Sequence, residues 1–512
     1  MDKRLAEKYD VVIIGSGMGG LTCGLILAME GKSVCILEKN PQIGGSLQTF
    51  KRDGVKFDTG VHYVGALNKG QPLNRYFKYL GIMDDLTLEK MDVDGYDNVS
   101  FGNEGILYPH AQGSENFVTR LLKYFPEEKE GLNKYIKTIA ETCDAFSLYN
   151  LSDVANTQNE IGLFDKSAKE VINSCTENKK LRNVLAGVNM LYAGNGAKAP
   201  FYIHALIVNH YMLSAYRFPN GGDQIGKLLE KRIRKLGGKV IRNAEVSSLT
   251  INEGLISKAR LKDGREIGAE VFISSMHPQE TLKIIDGPGL RKSYVNRVMN
   301  LKNTSASFIL YVVLKEKTLP YKKHNVYHFN SPDVWDSDNN VGEQWGRDFA
   351  VFYSRSKKNP EYCESISIMT YMKFEEVEPW VDTVNVRHEE KNRGKGYDEF
   401  KEKKSNLLLD YASVLIPDIR NFIQSYYSST PLTHRDYLNV SDGSIYGIER
   451  DFNNPLNTYI NTKTRVKNLY MTGQNLIMHG ILGVTVGAVV SCSEILGRAY
   501  LMKKIKAKSG GL

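Results

Sequence analysis

The junction between an apolar run and a glycine cluster constrains the fold of this chain more than any other segment. Residues 9–14, YDVVII, lead directly into GSGMGG at residues 15–20. The apolar run is typical of a buried strand. The residues that follow predict a helix over 21–30 that ends at Gly31, and then a second strand over 33–37. This order of strand, glycine turn, helix and strand predicts a βαβ unit in a parallel sheet.

The glycines of this junction have the spacing that a bound dinucleotide requires. Gly15 permits a tight turn, Gly17 lets the backbone approach a pyrophosphate, and Gly20 lets the helix pack closely on the strand. The free amides at the start of the helix then bind phosphate oxygens. Glu38 ends the second strand, where its carboxylate can accept hydrogen bonds from the ribose hydroxyls. We therefore interpret the segment as a dinucleotide-binding site of the Rossmann type.

Composition excludes several other classes of protein. The 512 residues are 42% hydrophobic and 24% charged, which is typical of a folded protein of two to three domains. We find no apolar run of about 18 residues for a spanning helix, and no secretory signal in the first ten residues. Six scattered cysteines without a CxxC pair indicate a reducing compartment and argue against a metal site. We expect a cytoplasmic protein with no metal ligands.

The order of predicted elements indicates a domain assembled from separate segments. Residues 218–299 predict a helix through Lys235 and strands at 239–242, 245–251, 259–262 and 271–275, and the last segment predicts a strand at 468–472 before one long helix. The expected fold class is α/β, with a discontinuous Rossmann-like domain and an inserted α+β substrate-binding domain. The first would comprise residues 1–65, 218–299 and 461–512, and the second residues 66–217 and 300–460.

Several motifs outside the first glycine cluster carry a resemblance to a known family. They are FDTGVHYVG at 57–65, APFYIHA at 199–205, FPNGG at 218–222, TPLT at 430–433, GSIYG at 443–447 and MTGQ at 471–474. Gly44 and Gly45 add a glycine pair that flavoproteins have after the second strand. Together these motifs resemble the phytoene desaturase superfamily, and within it the branch of retinol saturases and carotenoid isomerases.

The resemblance implies FAD as the cofactor and a set of residues that bind it. A helix starting near Gly483 would point at the flavin, and Gln474 stands where many relatives have an acidic residue. The expected cofactor-binding residues are Gly15, Ser16, Gly17, Met18, Gly19, Gly20, Glu38, Lys39, Gly44, Gly45, Ser46, Asp58, Gly60, Val61, His62, Val246, Ser275, Gly473, Gln474, Gly483, Val484 and Thr485.

The activity that the resemblance implies is reduction of a carbon–carbon double bond in an isoprenoid or polyene lipid, as in retinol saturases. Desaturation and cis–trans isomerisation of such lipids stay open, and so do amine oxidation and non-catalytic binding of flavin or lipid. The candidate catalytic residues are His62, His479 and Tyr63. Arg217 either carries charge to the flavin site, binds a polar head group of the substrate, or lies on the surface between domains. Electrons would come from an external donor or from NAD(P)H.

The formal charge of +9 allows nucleic acid, a membrane surface or no partner at all. We expect no nucleic acid, because none of the motifs resembles a nucleic-acid reader. Residues 498–508, RAYLMKKIKAK, place five cations beside apolar side chains. Such a segment is expected either to rest on an anionic bilayer or to form a solvated basic helix end.

Overall fold

The computed structural model describes residues 8–151, 162–339, 341–385 and 393–509. Most of the segment on which the expectation about a secretory signal rests, residues 1–7, lies outside these ranges. The α-helices are α1 Met18–Met29, α2 Pro72–Leu80, α3 Ser114–Leu121, α4 Lys129–Ala145, α5 Ser147–Asn150, α6 Ala168–Asn173, α7 Lys179–Ala186, α8 Phe201–Leu213, α9 Asp223–Lys235, α10 Pro278–Lys283, α11 Lys292–Met299, α12 Lys395–Ala412, α13 Ile419–Phe422, α14 Pro431–Leu438, α15 Pro455–Thr458, α16 Gly480–Leu496 and α17 Arg498–Lys508.

The strands form two large sheets and two small ones. They are β1 Lys8–Ile14, β2 Val34–Leu37, β3 Thr49–Arg52, β4 Val55–Asp58, β5 Tyr63–Gly65, β6 Glu89–Lys90, β7 Asp97–Phe101, β8 Tyr108–His110, β9 Ala215–Arg217, β10 Lys239–Ile241, β11 Val246–Asn252, β12 Leu255–Leu261, β13 Glu266–Ser274, β14 Ile285–Asp286, β15 Ala306–Leu314, β16 Asn325–Phe329, β17 Phe349–Arg355, β18 Cys363–Met372, β19 Ile423–Ser429 and β20 Leu469–Met471.

The first sheet has a parallel core in the order β10-β2-β1-β13-β20. Strands β12, β11 and β14 extend it, with β12 antiparallel to both β13 and β11. In the parallel core, Ile14 pairs with Leu37 and Ser274, and Ser274 pairs with Met471. The carboxyl ends of four strands from distant segments therefore meet at one edge, where α/β proteins bind their ligands.

Helix α1 is buried along almost its whole length, because it lies between the parallel sheet and helix α16. Its glycines allow this close packing. A Cβ on Gly20 would lie 2.1 Å from the carbonyl oxygen of Gly15, and one on Gly24 would lie 2.6 Å from Ile36. The predicted α/β fold class with a Rossmann-like domain drawn from separate segments is confirmed.

The second large sheet runs in the order β19-β15-β18-β17-β16-β7-β8. All neighbouring strands are antiparallel except β16 and β7, which are parallel. One face of this sheet packs in the large core shared with the first sheet, and the other face packs against α12 in a separate hydrophobic core. The sheet therefore forms a wall that faces the Rossmann-like unit.

The structure corrects four predictions about elements. The strand predicted at 259–262 is longer and begins earlier, at Leu255, and the strand predicted at 271–275 begins at Glu266. The predicted single C-terminal helix is two helices, because Gly497 adopts φ 90° and ψ 130° and ends α16. The first of these helices begins at Gly480 rather than near Gly483.

Helix α17 packs onto the molecule, which alters the interpretation of the basic segment. Leu501, Met502 and Ile505 are buried in the main core, and Lys504 binds Glu30 at 2.7 Å. The side chains of Leu501, Met502 and Ile505 are therefore unavailable to a bilayer, whereas Tyr500 on the same helix is exposed. Among the residues that the structure describes, no helix combines the length and apolarity needed to cross a membrane.

Candidate functional site

A single cavity of about 1640 Å³ connects the glycine edge of the first sheet with the wall formed by the second. This volume exceeds the about 300–1,000 Å³ of ordinary ligand pockets. Its lining includes Gly17, Met18 and Gly19, residues 59–64, and most of residues 472–484. The cavity therefore has room for more than one drug-sized molecule, with one of them lying along the glycine edge.

Two glycine loops meet at the wall of this cavity. The amide of Gly44 donates to the carbonyl oxygen of Ser16 at 3.0 Å. Gly44 adopts φ 110°, a conformation that side chains other than glycine rarely tolerate. A Cβ on Gly45 would lie 3.3 Å from the Cα of Gly17, so the two loops are in contact. The first amides of α1 have no acceptor within the helix and begin beside this junction, which favours a bound anion.

Glu38 is buried and holds the first glycine loop in place. Its Oε2 accepts from the amide and hydroxyl of Ser16 at 2.9 and 2.6 Å, and its Oε1 accepts from the amide of Asn40 at 2.8 Å. Lys39 donates to the carbonyl oxygen of Asp436 at 3.0 Å, which ties α14 to this edge, and burial lowers its pKa. Neither side chain lines the cavity, so both act here by supporting the loop.

The structure brings most of the predicted cofactor-binding residues together. Those that line the cavity are Gly17, Met18, Gly19, Gly44, Gly45, Ser46, Gly60, Val61, His62, Ser275, Gly473, Gln474, Gly483 and Val484. Those that lie outside its lining are Gly15, Ser16, Gly20, Glu38, Lys39, Asp58, Val246 and Thr485. Within the second group, Glu38, Lys39 and Asp58 hold neighbouring backbone in place, whereas Val246 belongs to a separate core.

Three members of this second group are held within the fold in different ways. Asp58 accepts from the amide of Gly222 at 2.7 Å, and burial raises its pKa to about 7. Val246 is buried in the core beneath the sheet. The Thr485 hydroxyl donates to the carbonyl oxygen of Ile481 within helix α16.

Helix α16 directs its N-terminus at the cavity. His479 precedes the helix, and Gly480, Ile481 and Leu482 line the cavity. Gly483 packs tightly, since a Cβ there would lie 2.6 Å from the carbonyl oxygen of Met478. No acidic residue lies in the first turn of α16. The partial positive charge at this end of the helix therefore faces the cavity, and no acidic side chain of the same turn neutralises it.

His62 lines the cavity and stacks on Phe352, with ring centroids 4.1 Å apart and planes inclined by 9°. Burial, with a smaller contribution from Arg217, lowers its pKa to about 4. No hydrogen bond to its imidazole is formed by the residues that the structure describes. His62 is therefore a neutral ring at neutral pH, suited to packing against a planar ligand.

His479 is already engaged by the protein. Its Nε2 lies 2.9 Å from the carbonyl oxygen of Leu191 and must therefore carry the ring proton as a donor. Burial lowers its pKa to about 4, and its ring packs on Tyr446 at a centroid distance of 4.5 Å. This geometry favours a role in holding the turn before α16 over a role in proton donation.

Tyr63 connects the cavity to a buried carboxyl group that the sequence did not reveal. Its hydroxyl lies 2.6 Å from Oδ2 of Asp97 and 2.8 Å from the hydroxyl of Tyr327. Asn325 donates to Oδ1 of Asp97 at 2.9 Å. Asp97 is fully buried, and this burial raises its pKa to about 7. Because Tyr63 lies 34 residues from Asp97 along the chain, no local motif signals this group.

The second sheet supplies an apolar wall opposite the glycine edge. Ile309 and Met369 are direct neighbours on β15 and β18, and Phe352 lies on the next strand. Tyr211, Tyr446 and Leu191 continue the lining away from the sheet. Tyr211 is thus part of the lining, whereas its neighbours in sequence Phe201, Tyr202, Tyr192 and Tyr216 lie outside it.

Arg217 is neither a surface residue nor a ligand-binding residue of the cavity. It is 7% exposed and donates to the carbonyl oxygens of Lys322 and His324, each at 2.7 Å, and to the Asn325 side chain at 2.8 Å. Arg217 therefore does not lie on the surface or line the cavity, but its positive charge does reach the site, where it contributes to the lowered pKa of His62. Arg217 ties β9 to the start of strand β16 and so supports the Asp97 network.

The cavity can therefore hold two kinds of molecule. The glycine edge and the N-terminus of α16 suit an elongated anionic nucleotide, and the sheet wall suits an apolar one. Within the described ranges, no group of three or more His, Cys, Asp or Glu side chains is arranged to hold a metal ion.

Comparison with known proteins agrees with this arrangement. Residues 13–80 match the family model of the NAD(P)-binding Rossmann-like domain. The chain is 28% identical to all-trans-retinol 13,14-reductase of Danio rerio over 97% of this chain and 87% of that protein. It is 24% identical to prolycopene isomerase 1, chloroplastic, of an Oncidium hybrid cultivar, over 98% and 86%. The resemblance predicted from the motifs is confirmed. An oxidoreductase structure from Methanosarcina mazei, 15% identical, has the same fold with a TM-score of 0.64, over 95% of this chain and 100% of that one.

Proposed function

We propose that this protein is an FAD-dependent oxidoreductase that reduces a carbon–carbon double bond of an isoprenoid or polyene lipid, as the name of its reductase relatives describes. The observation that carries the proposal is the continuous cavity of about 1640 Å³, which joins a dinucleotide-type glycine edge to an apolar sheet wall. Similarity to retinol 13,14-reductases over nearly the whole chain supports the same activity.

The residues present fit FAD. The pyrophosphate would lie against Gly17–Gly19 and the amides of α1, and the glycine pair at 44–45 leaves the backbone close to the ligand. The isoalloxazine ring would lie between residues 60–62 and the start of α16, whose helix dipole stabilises negative charge on a reduced flavin. When bound, FAD supplies the hydride that the reaction needs.

The sheet wall binds and orients the lipid. Ile309, Met369, Phe352 and Tyr446 offer apolar surface, and each Å² removed from water contributes about 25 cal/mol. A lipid with few polar groups must obtain most of its binding free energy in this way. The same surface excludes water from the reacting carbons.

Reduction adds a hydride to one carbon of the double bond and requires a proton for the other carbon. Tyr63 is the candidate proton donor that the geometry favours. It lines the cavity, and its hydroxyl is hydrogen-bonded to the Asp97 carboxyl group. Asp97 holds a proton in part of the population near neutral pH, because burial raises its pKa to about 7. It can return a proton to Tyr63 after transfer. His62 and His479 are weaker candidates because their rings are neutral.

Isomerisation is the second candidate activity, because the chain is also similar to a prolycopene isomerase along 98% of its length. In that case the lipid would leave the cavity with its mass unchanged. Desaturation would remove two hydrogens. Electrons for reduction would come from an external donor protein or from NAD(P)H.

We also propose a cytoplasmic protein that contacts a membrane surface to obtain its lipid. The β3–β4 hairpin supports this contact, since Lys51 and Arg52 are exposed and are also among the residues that line the cavity. Basic side chains near a cavity opening favour an anionic bilayer. Binding to phosphatidylserine vesicles should fall when both are replaced by glutamine; binding that is unchanged would contradict this role.

The proposed function is tested by purifying the protein with FAD and recording its visible absorption. Bound flavin should be bleached by a reductant under anaerobic conditions and should regain its absorption when all-trans-retinol is added. Protein that cannot be reconstituted with FAD, or reduced flavin that is not reoxidised by any polyene lipid, would contradict the proposal.

A further inference from the structure

Four polar side chains form a patch on the otherwise apolar sheet wall. Ser307 and Tyr311 lie on β15 on either side of Ile309, and Ser429 on β19 is the direct partner of Ile309. His434, in α14, lies 3.2 Å from the Ser307 hydroxyl through its Nε2. Since diagonal neighbours across two strands are about 7–8 Å apart, the four side chains form one cluster. We call them the serine–histidine patch.

The patch is buried, lines the cavity and is incompletely hydrogen-bonded. Ser429 is 6% exposed and His434 is 6% exposed, and all four residues line the cavity. The Tyr311 hydroxyl lies beside Ser429. Apart from this contact with Tyr311, the Ser429 Oγ has no hydrogen-bond partner among the described residues. Incomplete hydrogen bonding of a buried hydroxyl is costly, so its presence in a ligand cavity points to a ligand atom that satisfies it.

The chemistry of the patch indicates a neutral oxygen group. Its members are two serines, a tyrosine and a histidine, and burial lowers the pKa of His434 to about 4, so that the ring is neutral at pH 7. Hydroxyl and imidazole groups both donate and accept, which matches an alcohol. A carboxylate would lack a cation within the patch to compensate its charge.

We propose that the serine–histidine patch binds a hydroxyl group at one end of the lipid substrate, and so selects an oxygenated lipid over a hydrocarbon polyene. The proposal rests on the function proposed above and names the substrate class of the same cavity. The apolar chain would lie along Ile309, Met369 and Phe352, with its hydroxyl held at the β15–β19 end of the wall.

The test compares the binding of two lipids to the oxidised FAD-bound protein. All-trans-retinol and its deoxy hydrocarbon differ only in the hydroxyl group, and quenching of protein fluorescence gives both dissociation constants. The wild-type protein should bind retinol about tenfold more tightly than the hydrocarbon, a difference of about 1.4 kcal/mol. Ser429→Ala should weaken retinol binding about threefold to tenfold and leave hydrocarbon binding unchanged.

Ser365→Ala is the matched control. Ser365 lies in the same sheet, is fully buried and has an unpartnered hydroxyl among the described residues, but it does not line the cavity. This variant should leave both dissociation constants unchanged. FAD content, measured in each variant, should also be unchanged.

Equal binding of the two lipids by the wild-type protein, or binding of neither, would overturn the proposal. So would a Ser429→Ala variant that loses FAD while it keeps its lipid preference, since the patch would then contact the cofactor. Failure of the proposed function is distinguishable from these results. It would appear as absent flavin or absent turnover, whereas a preference for retinol can be measured without turnover.

Discussion

Replacing Asp97 by asparagine tests the buried carboxyl group behind Tyr63. The substitution keeps the size of the side chain, and its amide can accept from Asn325 through Oδ1 and donate to the Tyr63 oxygen through Nδ2, but it removes the titration. Burial raises the pKa of Asp97 from 3.8 to about 7. An acid whose pKa is raised by folding stabilises the protein at low pH, and that stability is lost as the pH rises to about 7.

The magnitude follows from this pKa. Between about pH 5 and pH 8, the folded wild-type protein loses ~3 kcal/mol of stability through Asp97 alone, since one pK unit corresponds to about 1.4 kcal/mol. The Asp97→Asn variant does not lose it. The stability difference between the two proteins should therefore shift by ~3 kcal/mol in favour of the variant as the pH rises.

Urea unfolding of both proteins at several pH values measures this difference directly. Asp84→Asn, a change at an exposed aspartate, is the control and should show no comparable dependence on pH. If Asp97 supplies the proton, the rate of retinol reduction should also fall above about pH 7 in the wild-type protein, since less of Asp97 is protonated. A stability difference that is the same at every pH would refute the reasoning.

Three further changes have defined outcomes. Gly20→Ala places a Cβ 2.1 Å from the carbonyl oxygen of Gly15, so FAD retention and the melting temperature should both fall; Gly396→Ala, which meets no atom within 4 Å, should alter neither. Arg217→Met removes the donor from two carbonyl oxygens and one amide oxygen. This substitution should lower the free energy of unfolding in urea by ~3 kcal/mol, while flavin absorption is retained. Deleting residues 498–512 exposes the apolar surface beneath α17. The free energy of unfolding should fall by several kcal/mol, about 1.5–3 kcal/mol for each buried side chain lost. Vesicle binding should not weaken.

Each of these outcomes can fail. Wild-type FAD retention in Gly20→Ala would show that α1 can move away from the glycine loop. Loss of flavin in Arg217→Met would place that residue at the cofactor, and loss of vesicle binding on deletion would restore the membrane interpretation of the basic segment.

The glycine edge could be predicted from the sequence because its parts are local. The strand at 8–14, its glycine turn and the helix after it follow one another within a few residues, and parallel strands bring their carboxyl ends together by geometry. The later strands at 239–241 and 469–471 were also found, because each ends in a turn with glycine or asparagine nearby.

The opposite wall of the cavity could not be predicted in this way. Asp97 and its partner Asn325 are 228 residues apart, and Ser307 and His434 are 127 residues apart. These contacts depend on the strand order and register of a seven-stranded sheet. No periodic pattern or motif in the sequence indicates which strands pair or in which register. The partners of Arg217 could not be predicted for the same reason, since they lie more than 100 residues away along the chain.

The mass of the lipid product tests the central claim most directly. The FAD-bound protein is reduced under anaerobic conditions, mixed with all-trans-retinol and quenched, and the lipid is extracted for mass spectrometry. Reduction of a double bond predicts a product heavier by two hydrogens, together with oxidised flavin. A product of unchanged mass would indicate isomerisation, and one lighter by two hydrogens would indicate desaturation; either would contradict the proposed reduction.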